Sequence, residues 1–331
     1  MPRIAIDAMS GDHGLRSSLP AAASAIAENP QLKLTLIGQR DAMLAACRQR
    51  DIDPASFTLV DAPDVVAMDE KPALALRHQQ QSSLWRAIEL VRDGEVDAVV
   101  SAGNTGALVA MSRYLLECLP GIKRPAMCAP LPGEQGDTYM LDLGANVDCR
   151  PEELLQFALM GSALVTCLKG VARPRVALLN IGEEAGKGSE QVKVAAALME
   201  ADATLNYSGF VEGYDLFTNK AEVIVCDGFV GNVALKVCEG TASYIGRQLK
   251  GRFSSSWYGM ISGLFVQPIL REFKNDINPD RYNGAALLGL NGVVVKSHGG
   301  SSKKSFLSAI RHASRSVDQE LSQRIARQLK Q

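Results

Sequence analysis

The sequence predicts an α/β protein: a mostly parallel sheet covered by helices on both faces. Two observations point there. Short aliphatic and β-branched runs alternate with longer Ala/Leu-rich segments. The short runs are also apolar at almost every position instead of every second one, the pattern of strands buried on both sides. A chain of 331 residues with 47% hydrophobic content can bury one large core, read as a single domain over 1–331 with an insert at about 251–280.

In chain order, IAID at 4–7 opens the sheet and the Ala-rich segment 17–27 gives the first helix. LKLTLI at 32–37 and FTLVD at 57–61 follow as strands, then a helical pattern over 72–92. AVVS at 98–101 is a strand feeding a helix over 105–118. YMLDL at 139–143 precedes a helix over 151–168, VALLN at 176–180 one over 189–200, and VIVCD at 223–227 one over 232–250. A turn-rich stretch, 251–283, interrupts the alternation, and a last strand over 292–296 leads to a C-terminal helix from about Lys303.

Composition argues against several classes. A formal net charge of -1 gives no electrostatic reason to expect nucleic acid as a partner. Seven scattered cysteines, odd in number and without a CxxC pair, argue against a disulfide framework or a zinc site and fit a reducing cytoplasm. The start, MPRIAIDAMSGD, enters a strand pattern without the basic start and apolar run of a signal peptide. The most apolar stretch, 257–270, is broken by Gly, Pro and Gln and falls short of the about 20 residues a bilayer crossing needs.

Six strands run into a Gly/Asn/Asp-rich turn: AMSGDHG after Asp7, AGNTGA after Ser101, GANVD after Leu143, IGEEAGKGSE after Asn180, GFVGN after Asp227 and SHGGSS after Lys296. Ligands of parallel sheets bind at the carboxyl ends of strands, so six such loops on one edge are expected to build one pocket. Gly103 lets backbone approach a ligand, and Asn104 and Thr105 open a helix whose first amides suit an anion; both side chains equally suit helix capping. Neither GxGxxG nor GxxxxGK[ST] occurs, which counts against a standard dinucleotide fold and a P-loop. Asp142, Asn146 and Asp148 surround a sharp turn, with pocket shaping or capping preferred over a metal site. Lys187, between Gly186 and Gly188, can pair with phosphate or polarise a carbonyl. Asn232 can donate to an oxyanion or cap its helix, with Lys236 one turn further along the same face. His298 is the most site-like histidine; His13 also lies in a loop, whereas His78 and His312 fall in helices.

Taken in order from residue 7 to 299, DAMSGD, SAGNTGAL, DLGANVD, NIGEE…KG, CDGFVGNVALK, NPDRYNGAALLGLNG and KSHG resemble the acyl-acyl-carrier-protein:phosphate acyltransferase family of bacterial phospholipid synthesis. The resemblance implies transfer of a fatty acyl group from acyl carrier protein to inorganic phosphate, and delivery of the product to a membrane glycerol-3-phosphate acyltransferase. It implies a homodimer with a three-layer α/β/α fold similar to the phosphotransacetylases and the isocitrate/isopropylmalate dehydrogenases. It places the family's catalytic lysine and asparagine on Lys187 and Asn232. Two departures stand out: Ser10 where the family's turn has glycine, which should alter that turn because serine resists positive φ, and RHQQQSS at 77–83 where many members are more basic.

Such a reaction needs little beyond positioning. Phosphate is substantially dianionic near neutral pH, its second pKa lying about 6 in related groups, and a thiol of pKa roughly 8.5 leaves without a strong acid. Holding the anion and stabilising the oxyanion are the demanding parts. Gly103, Asn104 and Thr105 are therefore expected at the phosphate, Lys187 and Asn232 at the carbonyl, Asn146 in the same loop cluster and His298 in orientation, with no cofactor and no metal.

The insert carries Trp257, Leu264 and Phe265 among apolar residues flanked by Lys250, Arg252, Arg271 and Lys274, a composition suited to peripheral contact with the inner face of the cell membrane; a dimer contact or a lid over the acyl chain would use the same residues. Residues 301–331 hold seven Lys/Arg against Asp318 and Glu320, an excess suited to an acidic carrier protein or to a solvated helix face. The competing readings are a phosphotransacetylase-like enzyme using acyl-coenzyme A, an NAD-dependent dehydrogenase of the related fold, and a non-enzymatic acyl-ligand binding protein at the membrane.

Overall fold

Apolar runs with no polar side form the middle layer of the protein. A computed structural model describes residues 1–255, 257, 258, 266 and 283–329. Among the described residues eleven strands make one sheet: β1 (Arg3–Asp7), β2 (Lys33–Gly38), β3 (Thr58–Asp61), β4 (Ala98–Ser101), β5 (Ala126–Gly133), β6 (Gly136–Leu141), β7 (Arg175–Leu179), β8 (Asn206–Val211), β9 (Val223–Val225), β10 (Ala285–Leu288) and β11 (Val293–Lys296). Their order is β3-β2-β1-β4-β11-β10-β5-β6-β9-β7-β8. The helices are α1 (Leu15–Glu28), α2 (Arg40–Gln49), α3 (Pro72–His78), α4 (Ser83–Arg92), α5 (Thr105–Leu116), α6 (Pro151–Lys169), α7 (Glu190–Ala201), α8 (Gly228–Ser254), α9 (Lys303–Asp318) and α10 (Leu321–Gln328).

Alternation along the strands sorts side chains into two faces. On one, Val99, Val294, Met140 and Ile224 pack against Leu84 and Ile88 of α4, Leu108 and Met111 of α5 and Leu235 of α8. On the other, Ile6, Val100 and Val295 meet Leu19 of α1 and Phe306 and Ile310 of α9, while Leu141 and Val225 meet Phe157 of α6, Met199 of α7 and Ile325 of α10. The result is the expected α/β/α sandwich.

Strand direction differs from the expectation in one consequential way. The pairings β5–β6, β5–β10 and β10–β11 are antiparallel, and the others are parallel. Three successive reversals turn the second half of the sheet around. The turns after β1, β4 and β11 therefore lie on one edge and those after β6, β7 and β9 on the opposite edge. The six loops do not share an edge.

Local chemistry moves several boundaries. The helical pattern over 72–92 is two helices, because Ser82 accepts a hydrogen bond from the Trp85 amide at 3.2 Å and starts α4 anew. Helix α8 begins at Gly228, four residues before Asn232, with Asp227 as the cap accepting from the Val230 amide at 2.8 Å. It also runs into the stretch read as turns. The C-terminal helix breaks at Glu320, which adopts φ 51. Within the insert, Leu264 and Phe265 lie outside the described residues; Trp257 is 72% exposed and packs edge-on to Tyr258, ring centroids 6.3 Å apart. Among the described residues no helix is long and apolar enough to cross a membrane.

Candidate active site

Three neighbouring strands, β1, β4 and β11, each close an apolar run with a polar residue, and these are in register: Asp7 beside Ser101, and Ser101 beside Lys296. Ala5, Val99 and Val294, two residues earlier, pack on the α4/α5/α8 face, so the three polar side chains form a row on that face. Ser101 Oγ donates to Asp7 Oδ2 at 2.7 Å and accepts from the Gly103 amide at 3.0 Å. Asp7 is fully buried, and its Oδ1 makes no hydrogen bond among the described residues. Burial pushes this carboxyl up, against the easing effect of Ser83, Ser10 and Ser101.

The turns above this row interlock. The Asp12 amide donates to the Gly299 carbonyl at 2.9 Å. Gly11 has φ +81, and a side chain on it would meet Gly299 O at 2.8 Å and Ala102 Cβ at 2.9 Å, so only glycine fits. The left-handed position thus falls on Gly11. Ser10 is not among the positive-φ residues, and its hydroxyl lies 3.3 Å from Ser101 Oγ. The alteration expected from serine at this point does not arise.

Gly103 is buried against Ser10 and Ser101. Asn104 caps α5 through Oδ1, which accepts from the Ala107 amide at 3.0 Å, while Nδ2 donates to the carbonyls of Met68 and Glu70, each at 2.9 Å, and of Ala67 at 3.3 Å. Its amide is fully engaged within the chain. The backbone N–H groups of Thr105 and Gly106, in the first turn, lack an intrahelical acceptor. His298 takes a hydrogen bond from the Gly300 amide on Nδ1 at 3.1 Å, which places the proton of the neutral ring on Nε2. Burial, then Lys236, hold this imidazole below its ordinary pKa.

On the opposite edge, β6, β9 and β7 are neighbours and their turns carry Asn146, Asn232 and Lys187. Asp142 is fully buried; its carboxylate accepts from the amides of Met127 (2.8 Å), Ala145 (3.2 Å) and Asn146 (2.6 Å) and from Asn146 Nδ2 (2.9 Å). Both oxygens serve the turn. Burial raises this carboxyl, and these bonds oppose the rise. Asn146 also donates to Pro125 O at 2.8 Å and accepts from the Gly228 amide at 2.8 Å, fixing the turn to the start of α8. Asn232 is exposed, with its side chain over Gly144, where an added Cβ would stand 3.4 Å from Asn232 Cβ. Lys187 is exposed, its loop shaped by Asn180 Nδ2 donating to Gly182 O (3.0 Å) and Lys187 O (3.2 Å). The Cys149 thiol nearby is pushed up to about 12 by burial and Asp142, far from a thiolate nucleophile at neutral pH.

The structure therefore groups Gly103, Asn104, Thr105 and His298 on one edge, and Asn146, Lys187 and Asn232 on the other. Helix α8 spans between them, carrying Asn232 in its second turn from Gly228 and Lys236 one turn beyond, whose charge acts on His298 and Lys296. Asp7, Ser101 and Lys296 are candidate site residues that the turn motifs of the sequence do not single out. The available signal was a polar residue closing an apolar run, in phase with a buried valine or alanine two positions earlier.

Residues 2–324 match the model of a family described as fatty acid synthesis protein. A phosphate acyltransferase of Alcanivorax borkumensis is 51% identical over 308 residues, covering 93% of this chain and 91% of that one. One from Legionella pneumophila is 50% identical over 311 residues, covering 94% and 91%. Among solved structures, a phosphotransacetylase from Streptococcus pyogenes aligns with a TM-score of 0.62 at 15% identity, covering 96% of this chain and 94% of that one. A 4-hydroxythreonine-4-phosphate dehydrogenase from Klebsiella pneumoniae aligns with a TM-score of 0.53 at 15% identity, covering 95% and 96%; these two likenesses are of fold.

Proposed function

This chain belongs to the fatty acid synthesis protein family, with phosphate acyltransferases as its relatives, and we propose on that premise that it transfers a long-chain fatty acyl group from acyl carrier protein to inorganic phosphate, giving acyl phosphate for phospholipid synthesis. The observation that supports this most is α8 itself. It sets Asn232, an amide donor, about 6 Å of helix rise from Lys236, whose charge reaches His298 at the other cluster. A thioester carbonyl at the first and a phosphate at the second would be neighbouring reactants.

In this mechanism a phosphate oxygen attacks the thioester carbon, the tetrahedral oxyanion collapses, and the C–S bond breaks to release the carrier thiol. Lys187, which pairs with no carboxylate among the described residues, and Asn232 stabilise the oxyanion. Gly103, Thr105 and the Gly106 amide take phosphate; Asn104 shapes that turn and contributes through backbone. His298 Nε2–H orients the anion. The chain acts as a homodimer in the cytoplasm, with Trp257, Leu264 and Phe265 touching the membrane beside the glycerol-3-phosphate acyltransferase that takes the product. The basic C-terminal segment docks the carrier protein, although Arg311 and Arg327 already pair with Glu28 (2.6 Å) and Glu320 (3.0 Å).

The test is thiol release by the purified protein from long-chain acyl carrier protein, with and without phosphate and with no metal added. Release only with phosphate supports the reading. Release from acetyl-coenzyme A alone would replace it with a phosphotransacetylase-like activity, and release from neither would leave a binding protein.

A further inference from the structure

Lys296 is a buried cation that the mechanism above does not use. It is 7% exposed, and no carboxylate pairs with it among the described residues. Its ammonium donates to Ala102 O at 3.4 Å and to Ser297 O, joining the turn after β4 to the turn after β11. An ammonium has three hydrogens, so one remains. Burying an unpaired charge is unfavourable, and here the surroundings add repulsion. Lys236 of α8 opposes the charge on Lys296 and on His298; Asp7 of β1 and Asp12 of the following turn favour the Lys296 charge only through space. Lys236 is itself paired to Glu239 at 2.7 Å. Two lysines and an imidazole thus act on one another's charge, with the Lys296 ammonium on the turn that leads into α5, an arrangement that a doubly charged anion would balance.

We infer that Lys296 is the buried cation of the phosphate subsite, clamped between the turns after β4 and β11 and turning its remaining N–H to a dianion that the Thr105 and Gly106 amides and Lys236 also hold. This rests on acyl transfer to phosphate being the reaction.

The placement has a consequence in pH. Burial, with Lys236 adding to it, lowers the free ammonium to about 8. A bound dianion favours the charged form and raises it again. Phosphate is already dianionic there, with a second pKa about 6 in related groups. Binding above pH 8 therefore takes up close to one proton, and affinity falls about tenfold for each pH unit beyond it.

Calorimetric titration of the full chain with inorganic phosphate tests this, at pH 7 and pH 9 and in two buffers of different ionisation heat. Wild type should bind several-fold more weakly at pH 9 than at pH 7, the loss of the lysine proton outweighing the gain in phosphate dianion, with proton uptake at pH 9. Lys296→Met should bind phosphate at least tenfold more weakly at pH 7 and show no loss between pH 8 and 9. Lys236→Gln, an exposed change that leaves Lys296 in place, should move the alkaline limb to higher pH by relieving repulsion. A folded Lys296→Met protein that binds phosphate as wild type does would overturn the inference, as would a wild-type affinity that is flat from pH 8 to 9.5, or an alkaline limb unmoved by Lys236→Gln. Phosphate binding with this signature but no acyl transfer would keep the subsite and remove the reaction. Acyl transfer with a phosphate KM unchanged in Lys296→Met would do the reverse.

Discussion

The carbonyl oxygen of Asp142 occupies the space where Gly231 would carry a side chain. The turn after β6 and the first turn of α8 thereby approach backbone to backbone, and Asn232 follows directly on the point of contact. A methyl group on Gly231 must displace either the turn or the helix. Gly231→Ala is expected to lower unfolding free energy by on the order of 3 kcal/mol in a denaturant titration and to lower kcat through Asn232. Wild-type stability in this variant would show that the contact yields at little cost.

Asn104 offers a test of cap against clamp. Aspartate caps helices as well as asparagine, yet it cannot donate to the carbonyls of Ala67, Met68 and Glu70. Asn104→Ala should cost roughly 2–3 kcal/mol, and Asn104→Asp should be no better. An Asn104→Asp protein as stable as wild type would mean that only the cap matters.

Lys187 and Asn232 are both exposed, so their replacement should leave the thermal midpoint nearly unchanged. If each stabilises the oxyanion, Lys187→Ala and Asn232→Ala should lower kcat by about 10²–10³ with a smaller change in phosphate KM. Full turnover in a folded Lys187→Ala protein would remove that residue from the mechanism.

His312 of α9 is half-buried, with Nδ1 2.6 Å from Gly284 O, and desolvation of its ring lowers it to about 4. The unfolded chain binds a proton near pH 6.5 that the folded chain refuses. Folding stability should therefore be complete above pH 6.5 and fall as pH drops toward 4, by roughly 3 kcal/mol from this group. In His312→Gln that acid-side slope should flatten; an unchanged slope would place it on another group.

Much of the sheet was legible because its strands end where their apolar runs end: β4 was read to the residue, and β1 and β11 within one. The strands that escaped, β5, β8 and β10, each lack an unbroken β-branched run. β5 is AMCAPLPG, with Pro130 and Pro132 in its run, β10 is the short and unbranched AALL, and β8 contains Gly209 at φ +90 on the sheet margin. β5 and β10 take part in all three antiparallel pairings, so missing them hid the reversal that parts the six loops. Glycine-rich turns announced the candidate loops, since a turn's needs are local. The row Asp7–Ser101–Lys296 depends on register between strands far apart in sequence, which no local pattern records.

Acyl transfer to phosphate is tested most directly by measuring both products at once: free thiol from long-chain acyl carrier protein, and acyl phosphate trapped as the hydroxamate. The expected result is one acyl phosphate for each thiol, with both signals absent without phosphate and reduced together in Lys187→Ala. Thiol release accompanied by free fatty acid and no acyl phosphate would contradict it, because water, and not phosphate, would then be the nucleophile.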